Sequence, residues 1–302
     1  TINKYCYITC RYLPPFFDHR TRLVWSKLEM VKNTDEIQHP VVREVIKMLG
    51  IKEGLEIHHD ADLPARSGLG SSSSFTVGLL HGLYALLGKM VTKRQLALDA
   101  IHLEQDRLKE NVGSQDQTAA AFGGFNRVEF GGPGHLSVHP VTLTTEQSEK
   151  FQNHIMLFFT GLARNASEVA AEQVKATPKK QEELRSMQGM VDEAMRILST
   201  GNSFDDFGRL LHEAWQVKRT LSSQITNAMI DDVYAKGRHA GALGGKLLGA
   251  GGGGFMLFFA KPEDQPRIRE ALKDFLYVPV RFENTGSQII YYAPSDHMIH
   301  QA

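Results

Sequence analysis

The chain has 302 residues, and its 34 lysines and arginines balance 34 aspartates and glutamates to a formal net charge of zero. A neutral chain lacks the basic excess that most nucleic-acid-binding proteins need, so we expect no nucleic-acid partner. Hydrophobic residues make up 42% of the sequence, which excludes a disordered, collagen-like or coiled-coil chain and indicates globular domains. The length suggests two domains of ordinary size or one large domain.

The sequence carries no signal for a membrane or for secretion. Its longest apolar runs, such as 255–260, are far shorter than the ~20 residues of a bilayer-spanning helix. The start lacks a basic segment followed by an apolar one. Cys6 and Cys10 share one face of a predicted strand at ~13 Å, which is too far for a disulfide bond. We therefore expect a cytoplasmic protein without membrane contact.

The first half of the chain mixes strand and helix patterns. Alternating apolar residues predict strands at 1–13, 52–60, 123–130 and 136–141. Apolar residues spaced three and four apart predict helices at 40–49, 71–87 and 92–109. Thr92 and Gln95 match a capping box, which fixes the start of the third helix.

A polar stretch at 142–150 separates this half from a second one, so we place two domains at 1–145 and 146–302. The second half begins with an apolar strand at 154–160, and four helical patterns follow at 165–176, 179–199, 203–221 and 226–240. A glycine-rich stretch at 241–254 precedes a strand at 255–260, a helix to about 275 and short strands at 277–283 and 287–293. Strands and helices do not alternate regularly, which favours an α+β fold over a doubly wound sheet.

The most informative segment is Pro64-Ala-Arg-Ser-Gly-Leu-Gly-Ser-Ser-Ser-Ser74, which leads into the second predicted helix. Glycines let a ligand approach the backbone closely, and the free N–H groups and dipole of a helix start favour an anion. The pattern predicts a phosphate-binding loop, although the chain has no G-x-x-x-x-G-K-[ST] of the Walker A type. The alternative is a Gly/Ser loop whose serine caps the helix.

A second glycine cluster, Gly249-Ala-Gly-Gly-Gly-Gly254, formally satisfies the dinucleotide-binding pattern G-x-G-x-x-G. A predicted strand and not a helix follows it, which disfavours a nicotinamide-dependent oxidoreductase. Because glycines cost backbone entropy, such a cluster indicates a crowded backbone contact or an unusual turn. A flexible hairpin loop is the alternative.

Two acidic residues stand out between the glycine segments. Glu104 shares a helix face with apolar residues, so its carboxylate points toward packed surface and suggests a metal ligand or a partner for another charge. Asp116 lies in Gly113-Ser-Gln-Asp-Gln117, where a helix begins. It is either the N-cap of that helix or a catalytic group.

These three segments, in this order, resemble the motifs of the GHMP kinase superfamily, which includes galactokinase, homoserine kinase, mevalonate kinase and phosphomevalonate kinase. Residues 64–74 are similar to its second motif, P-x-x-x-G-L-G-S-S-[AS]-[AS], and residues 246–255 to its third motif. Softer matches to sugar kinases that act on D-glycero-D-manno-heptose phosphate lie at 103–106, 112–118, 160–164, 166–168 and 218–222. The resemblance covers the whole chain.

The resemblance implies an α+β, two-domain GHMP kinase fold. Its N-terminal, ATP-binding domain would be like domain 2 of ribosomal protein S5, and its C-terminal domain would be ferredoxin-like. The implied activity is transfer of the ATP γ-phosphoryl group to the anomeric hydroxyl of D-glycero-D-manno-heptose 7-phosphate, on the route to GDP-heptose for surface polysaccharide. Fucose or another hexose is the alternative substrate, and a catalytically silent sugar sensor of the same fold is the alternative function.

The same resemblance implies a role for individual residues. Ser72 and Glu104 would hold Mg²⁺, and Asp116 would accept or orient the proton of the attacking sugar hydroxyl. The ATP phosphates would be bound by Gly68, Leu69, Gly70, Ser71, Ser72, Ser73, Gly251 and Gly252. We expect Arg164 and Lys218 to bind the sugar phosphate, with a solvated or ion-paired surface as the alternative. A homodimer is left open.

The superfamily's first motif, a glycine-rich strand and turn, has no counterpart in the sequence, and residues 1–5 resemble the strand that follows it. We therefore expect a short glycine-rich segment to precede Thr1, because a chain without it would lack part of the substrate pocket. The same absence keeps the sugar-sensor alternative open. Ser72, Glu104 and Asp116 argue against a sensor, which need not retain a metal site.

Overall fold

The computed structural model describes residues 1–65, 67–132, 134–161, 166–201 and 203–294, with only the backbone for 166–168. The first half contains a sheet of four strands, β1 (Cys6–Tyr12), β2 (Thr21–Val24), β3 (Leu28–Val31) and β4 (Leu55–Ala61). The strands lie in the order β1-β4-β2-β3. Strand β2 runs parallel to β4, and the other neighbours are antiparallel.

Helices cover one face of this sheet. They are α1 (Pro40–Leu49), α2 (Ser71–Leu86), α3 (Lys93–Ile101) and α4 (Gln115–Phe122). A π-helical segment, His102–Arg107, continues α3 without a break, and a hairpin of β5 (Asn126–Phe130) and β6 (Leu136–Pro140) follows α4.

Helix α2 packs directly on strand β1 because two of its positions are glycines. A Cβ atom on Gly78 would lie 3.1 Å from Ile8, and one on Gly82 would lie 3.3 Å from Cys10. Larger residues at these positions would push the helix away from the strand. The close packing fixes the start of α2, where the predicted phosphate loop lies.

The second half is built on another antiparallel sheet of four strands, β7 (Ile155–Phe159), β8 (Gly244–Leu247), β9 (Phe255–Phe259) and β10 (Leu276–Val278). Its helices are α5 (Thr145–Gln152), α6 (Ala166–Ala176), α7 (Gln181–Thr200), α8 (Asp205–Arg219), α9 (Ala228–His239) and α10 (Gln265–Ala271). The strand order β10-β7-β9-β8 is the fourth-first-third-second order of a ferredoxin-like sheet. The predicted ferredoxin-like C-terminal fold is therefore confirmed.

The last part of the described chain returns to the first half and joins the two sheets. The amide of Gly124 donates to the carbonyl of Glu283 at 2.8 Å, and the ammonium of Lys93 donates to the carbonyl of Thr285 at 2.8 Å. The Phe282 ring packs on Phe125, with ring centroids 5.3 Å apart. These contacts hold the end of the described chain against the first half.

The capping box predicted at the start of α3 is only half formed. The Thr92 hydroxyl accepts a hydrogen bond from the Gln95 amide at 3.1 Å, so the predicted cap is confirmed. The Gln95 side chain, however, donates to Asp99 at 2.7 Å. The reciprocal half of the predicted capping box is replaced by this contact.

Several predicted elements differ from the observed ones. The strand predicted at 1–13 begins only at Cys6, and β2 and β3 were not predicted because each has four residues and too few alternations to show a period. No strand occurs at 287–293, where Ile290 and Tyr291 are more than 80% exposed. The boundary predicted at 145/146 falls at the first residue of α5 and stays a prediction. None of the described helices is long and apolar enough to span a bilayer.

Candidate active site

The predicted phosphate loop leads into α2 through two left-handed glycines. Gly68 has φ +79° and Gly70 has φ +69°, a conformation that strains any residue with a Cβ atom. Gly70 is the N-cap of α2, and no side chain caps the helix. The alternative interpretation, a serine N-cap, is therefore wrong. The first amides of the helix stay free of intrahelical partners and point outward, as in other anion-binding helix starts.

The second glycine cluster packs against this loop, backbone on backbone. A Cβ atom on Gly68 would lie 2.8 Å from the carbonyl oxygen of Leu248, and one on Gly249 would lie 2.6 Å from the Cα atom of Gly68. Gly254 makes a similar contact with the carbonyl of Ser67. Side chains at these positions would push the two loops apart, so the glycines are explained by a crowded backbone contact. This contact contradicts the alternative of a flexible hairpin loop.

Four carbonyls of the second glycine loop accept hydrogen bonds from side chains. The side-chain hydrogen bonds run from Lys218 to Gly249 (2.7 Å), from Gln173 to Ala250 (2.6 Å), from Asn227 to Gly252 (3.2 Å) and from Thr160 to Gly254 (2.9 Å). Within the described ranges, the amides of Gly249, Ala250, Gly251 and Gly253 donate no hydrogen bond. With four carbonyls paired and four amides free, the loop presents backbone donors that can bind an anion.

Glu104 lies in the π-helical segment behind the phosphate loop. Its residue is 1% exposed, and its Oε2 atom accepts hydrogen bonds from the Ser73 hydroxyl at 2.9 Å and from the Gln117 side-chain amide. Its Oε1 atom is buried without a partner. A buried carboxylate oxygen without a donor is costly unless a ligand completes it.

The donor set around Glu104 fits Mg²⁺. Oxygen atoms are the ligands of this hard cation, which takes one or two carboxylates and completes its shell with substrate phosphates and water. The described residues include no group of three or more His, Cys, Asp or Glu side chains that could hold a metal ion, so Mg²⁺ at Glu104 would need oxygen ligands from other groups. The serine that contacts Glu104 is Ser73, whereas Ser72 is exposed on the first turn of α2. The assignment of Ser72 as a magnesium ligand stays a prediction.

Asp116 is the second residue of α4, after an N-cap at Ser114, so the interpretation of Asp116 as the N-cap is wrong. A Cβ atom on Gly70 would lie 3.2 Å from both Cβ and Cγ of Asp116, so the carboxylate lies against the phosphate loop. Part of the Asp116 residue is exposed to solvent, but its carboxylate is surrounded by protein atoms. This burial of the carboxylate raises the pKa of Asp116. The negative charge of Glu104 raises the pKa of Asp116 further.

Of the two predicted substrate-binding residues, the structure describes Lys218 but not Arg164. Lys218 is partly buried, and its ammonium donates to the carbonyl of Gly249 at 2.7 Å and lies 3.4 Å from that of Leu247. Burial and, to a smaller extent, the nearby positive charge of Lys246 together lower the pKa of Lys218 to about 7. Arg164 lies outside the described residues.

The remaining predicted phosphate ligands fall into two groups. Gly68, Gly70 and Ser73 lie at the junction of the two loops, beside Asp116. Gly251 and Gly252 lie further along the second loop, where Gly251 packs on the backbone of Ile225. Their phosphate contact stays a prediction, as do those of Leu69 and Ser71.

Sequence reasoning missed two residues of this region. Gln117 donates a hydrogen bond to Glu104. It directly follows Asp116 in the segment 113–117, and that position was the sequence feature that could have indicated a role. Gln173 holds the second glycine loop from α6, and nothing in its local sequence distinguishes it from a surface glutamine.

The loops and their acidic neighbours define a phosphoryl-transfer enzyme, and family comparisons agree with this class. The model of the GHMP kinases N terminal domain matches residues 36–124, and that of the GHMP kinases C terminal domain matches residues 190–278. Together the two models cover more than half of the chain. The chain therefore belongs to the GHMP kinases, and the predicted phosphotransferase class is confirmed.

Individual relatives are similar over most of the chain. D-glycero-alpha-D-manno-heptose 7-phosphate kinase of Campylobacter jejuni is 29% identical over 250 residues, which are 82% of this chain and 72% of that protein. The L-fucokinase/L-fucose-1-P guanylyltransferase of Bacteroides fragilis is 27% identical over 254 residues, 79% of this chain, but only 25% of that longer protein is matched.

Solved structures share the fold. A D-glycero-D-manno-heptose 1-phosphate kinase from Bacteriodes thetaiotaomicron superposes with a TM-score of 0.76 at 23% identity, over 96% of this chain and 89% of its own. The mevalonate kinase of Methanococcus jannaschii gives a TM-score of 0.72 at 21% identity, over 94% and 90% of the two chains. The two-domain GHMP kinase fold is therefore confirmed.

Proposed function

We propose that the protein is an ATP-dependent sugar kinase that phosphorylates the anomeric hydroxyl of D-glycero-D-manno-heptose 7-phosphate. The observation that carries the proposal is the contact between Gly70 and Asp116, which places a carboxylate at the phosphate loop. The heptose 7-phosphate relative, which is similar over 82% of the chain, supports the substrate. The product would feed synthesis of GDP-heptose for surface polysaccharide.

In this proposal the two glycine loops bind the ATP phosphates. The free amides at the start of α2 and those of Gly249, Ala250, Gly251 and Gly253 supply hydrogen-bond donors for the β- and γ-phosphates. The chain needs no net positive charge for this, because backbone dipoles and Mg²⁺ neutralise the polyanion.

Magnesium would be held by Glu104, whose Oε1 atom has no other partner, together with a serine hydroxyl of the first turn of α2. The bound ion would neutralise charge on the transferred phosphoryl group. The hydrogen bonds from Ser73 and Gln117 to Oε2 keep the Glu104 carboxylate in one orientation, with Oε1 free.

Asp116 would orient the attacking hydroxyl and accept its proton. The sugar oxygen forms a bond to the γ-phosphorus, the bond from that phosphorus to the β–γ bridging oxygen breaks, and ADP leaves with the electron pair. The hydroxyl proton passes to the Asp116 carboxylate and then to solvent. A raised pKa makes the carboxylate of Asp116 a stronger base than an ordinary aspartate.

The proposal is tested by measuring ADP formation with a panel of sugars and sugar phosphates, and by assigning the product with ³¹P NMR. We expect turnover with heptose 7-phosphate and a second phosphorus signal on the anomeric oxygen. If fucose or another unphosphorylated hexose is turned over faster, that sugar is the substrate instead of heptose 7-phosphate. No ADP formation with any acceptor would favour a sugar sensor.

Three further properties belong to this proposal. We place the protein in the cytoplasm and away from membranes, because ATP and sugar phosphates are its proposed ligands. We place the N-terminal, ATP-binding domain at 1–145 and the C-terminal domain at 146–302. A homodimer is tested by the molar mass in solution.

A further inference from the structure

Two buried oxygen atoms between the π-helical segment and α4 have no hydrogen-bond donor among the described residues. One is Oε1 of Glu104, and the other is the side-chain carbonyl oxygen, Oε1, of Gln117. Both residues are buried. Buried acceptors are almost always paired in folded proteins, because burial removes the water that would otherwise bind them. Two such atoms on neighbouring side chains indicate that a ligand binds there.

Glu104 fixes the orientation of the Gln117 amide. The amide nitrogen of Gln117 donates a hydrogen bond to Oε2 of Glu104. Because an ionised carboxylate only accepts hydrogen bonds, the amide cannot turn to place its oxygen there. The Ser73 hydroxyl also donates to Oε2, at 2.9 Å. The two free oxygens are therefore Oε1 of the carboxylate and Oε1 of the amide.

These two oxygens lie close together because they belong to groups joined by a hydrogen bond. Bond lengths and that one hydrogen bond keep the two Oε1 atoms within about 7 Å of each other. Mg²⁺ binds oxygen at about 2.1 Å and usually keeps waters in its shell, and each water donates hydrogen bonds over about 2.8 Å. An ion on one oxygen therefore reaches the other through a single water.

The chemistry of the pair favours a hydrated cation. Two acceptor oxygens repel an anion, and an apolar group would leave both of them unpaired. The neighbouring contacts place the pair at the phosphate loop: Ser73 belongs to the first turn of α2, and Asp116, directly before Gln117, lies against Gly70. A cation bound to Glu104 and Gln117 is thus next to the predicted phosphate site.

We propose that Gln117 is a second contact of Mg²⁺ beside Glu104. Its amide nitrogen holds the Glu104 carboxylate, and its carbonyl oxygen accepts a hydrogen bond from a water in the shell of the ion. This inference rests on the proposed function, in which Glu104 binds Mg²⁺. Because Gln117 acts through Glu104 and through water, it is a positioning residue.

The test measures the Mg²⁺ concentration that half-maximally raises the melting temperature, without nucleotide and against NaCl of equal ionic strength. Gln117→Met keeps the length of the side chain and removes both of its polar atoms. Ser73→Ala removes the other hydrogen bond to Oε2 but leaves the carbonyl oxygen of Gln117. Thr118→Val is the matched control, since Thr118 is equally buried on α4 and its hydroxyl donates to the Ser114 carbonyl at 2.7 Å.

Mg²⁺ should stabilise the wild type and Thr118→Val at similar concentrations. The concentration needed should rise about tenfold or more in Gln117→Met, as for other residues that support metal ligands. The rise should be smaller in Ser73→Ala, because only Gln117→Met removes an oxygen of the site. Equal rises in both variants would overturn the inference and leave Gln117 as a support of Glu104 alone. A wild type that does not respond to Mg²⁺ would overturn it in favour of a buried water.

Gln117→Glu separates the two roles by the direction of its effect. This variant keeps an oxygen toward the ion, adds a negative charge and loses the donor to Glu104. We expect it to be less stable than wild type without Mg²⁺, because two carboxylates share a buried position, and to need less Mg²⁺ for its stabilisation. If Gln117 only orients Glu104, the variant needs more Mg²⁺, and that result would overturn the inference.

These measurements do not depend on turnover. If the Gln117 variants change the magnesium response as expected but no sugar is phosphorylated, the proposed function fails and the metal contact stands. If heptose 7-phosphate is turned over and the Gln117 variants respond to Mg²⁺ like the wild type, the inference fails and the proposed function stands.

Discussion

Gly70 and Asp116 are in contact: a Cβ atom at position 70 would lie 3.2 Å from the carboxyl carbon of Asp116. The contact joins the start of α2 to the start of α4, so that one side of the phosphate loop is formed by an acidic side chain. Glu104 lies behind the same loop and binds Ser73 of α2 and Gln117 of α4. The backbone donors, the buried carboxylate and the candidate base therefore meet at two helix starts.

Gly70→Ala should abolish most activity while the fold persists. Alanine at φ +69° costs ~1 kcal/mol of stability, and its methyl group would displace the Asp116 carboxylate. Gly50→Ala is a matched control, because Gly50 has φ +67° at the end of α1 and nothing within 4 Å of its Cβ position. Urea unfolding should give similar losses of stability for both variants, whereas only Gly70→Ala should lose kcat/KM by more than about a hundred-fold. Equal activities would contradict the role of the contact.

Glu104→Gln should raise the Mg²⁺ concentration needed for half-maximal velocity by about tenfold or more, since an amide oxygen is a poorer ligand than a carboxylate. Stability without Mg²⁺ should be retained, because the variant removes a buried charge. Glu110→Gln is the control, since Glu110 is a partly buried neighbour that the proposal does not use. An unchanged magnesium dependence in Glu104→Gln would exclude Glu104 as the ligand.

Asp116→Asn should lower kcat by about 10²–10⁴-fold, the usual contribution of a general base, while ATP binding is preserved. Binding of a fluorescent nucleotide and steady-state kinetics measure the two effects separately. Asp106→Asn, at an exposed residue paired with His102, should leave both unchanged. Near-normal turnover in Asp116→Asn would show that the enzyme works without this base.

Lys218 should make stability depend on pH. Its pKa is lowered from 10.5 to about 7 in the folded protein, so between these values the unfolded chain binds more protons than the folded one. Stability from this group therefore rises as pH increases from about 7 to about 10. Urea unfolding across this range should show a smaller rise in Lys218→Met, which has no titrating amine. Parallel pH profiles for variant and wild type would contradict the lowered pKa.

The sequence predicted the features that depend on local pattern. Gly50 ends α1, Thr92 caps α3, and the long amphipathic helices occur near their predicted positions. These features were predictable because helix periodicity and capping depend on residues that are close together in the sequence. The order of the glycine and acidic segments also predicted the class of enzyme through their resemblance to a family.

Features that depend on tertiary contact could not be predicted. Strand β8 contains Gly244 and Gly245, which have no strand propensity, and it forms because glycines let α8 and Phe258 approach its backbone. Ser73 contacts Glu104 because the helix rotation of α2 turns residue 73 inward, whereas the neighbouring Ser72 is exposed. The contact between Gly249 and Gly68 could not be predicted either, because the two residues are far apart in the sequence and meet only in the folded chain.

In the proposed function, these two helix starts and two glycine loops transfer a phosphoryl group to a heptose phosphate. The direct test is the initial rate of ADP formation by the wild-type protein with ATP, Mg²⁺ and D-glycero-D-manno-heptose 7-phosphate, with the acceptor omitted as the blank. We expect turnover that requires the acceptor and gives an anomeric phosphate. ADP formation no faster than the blank would contradict it.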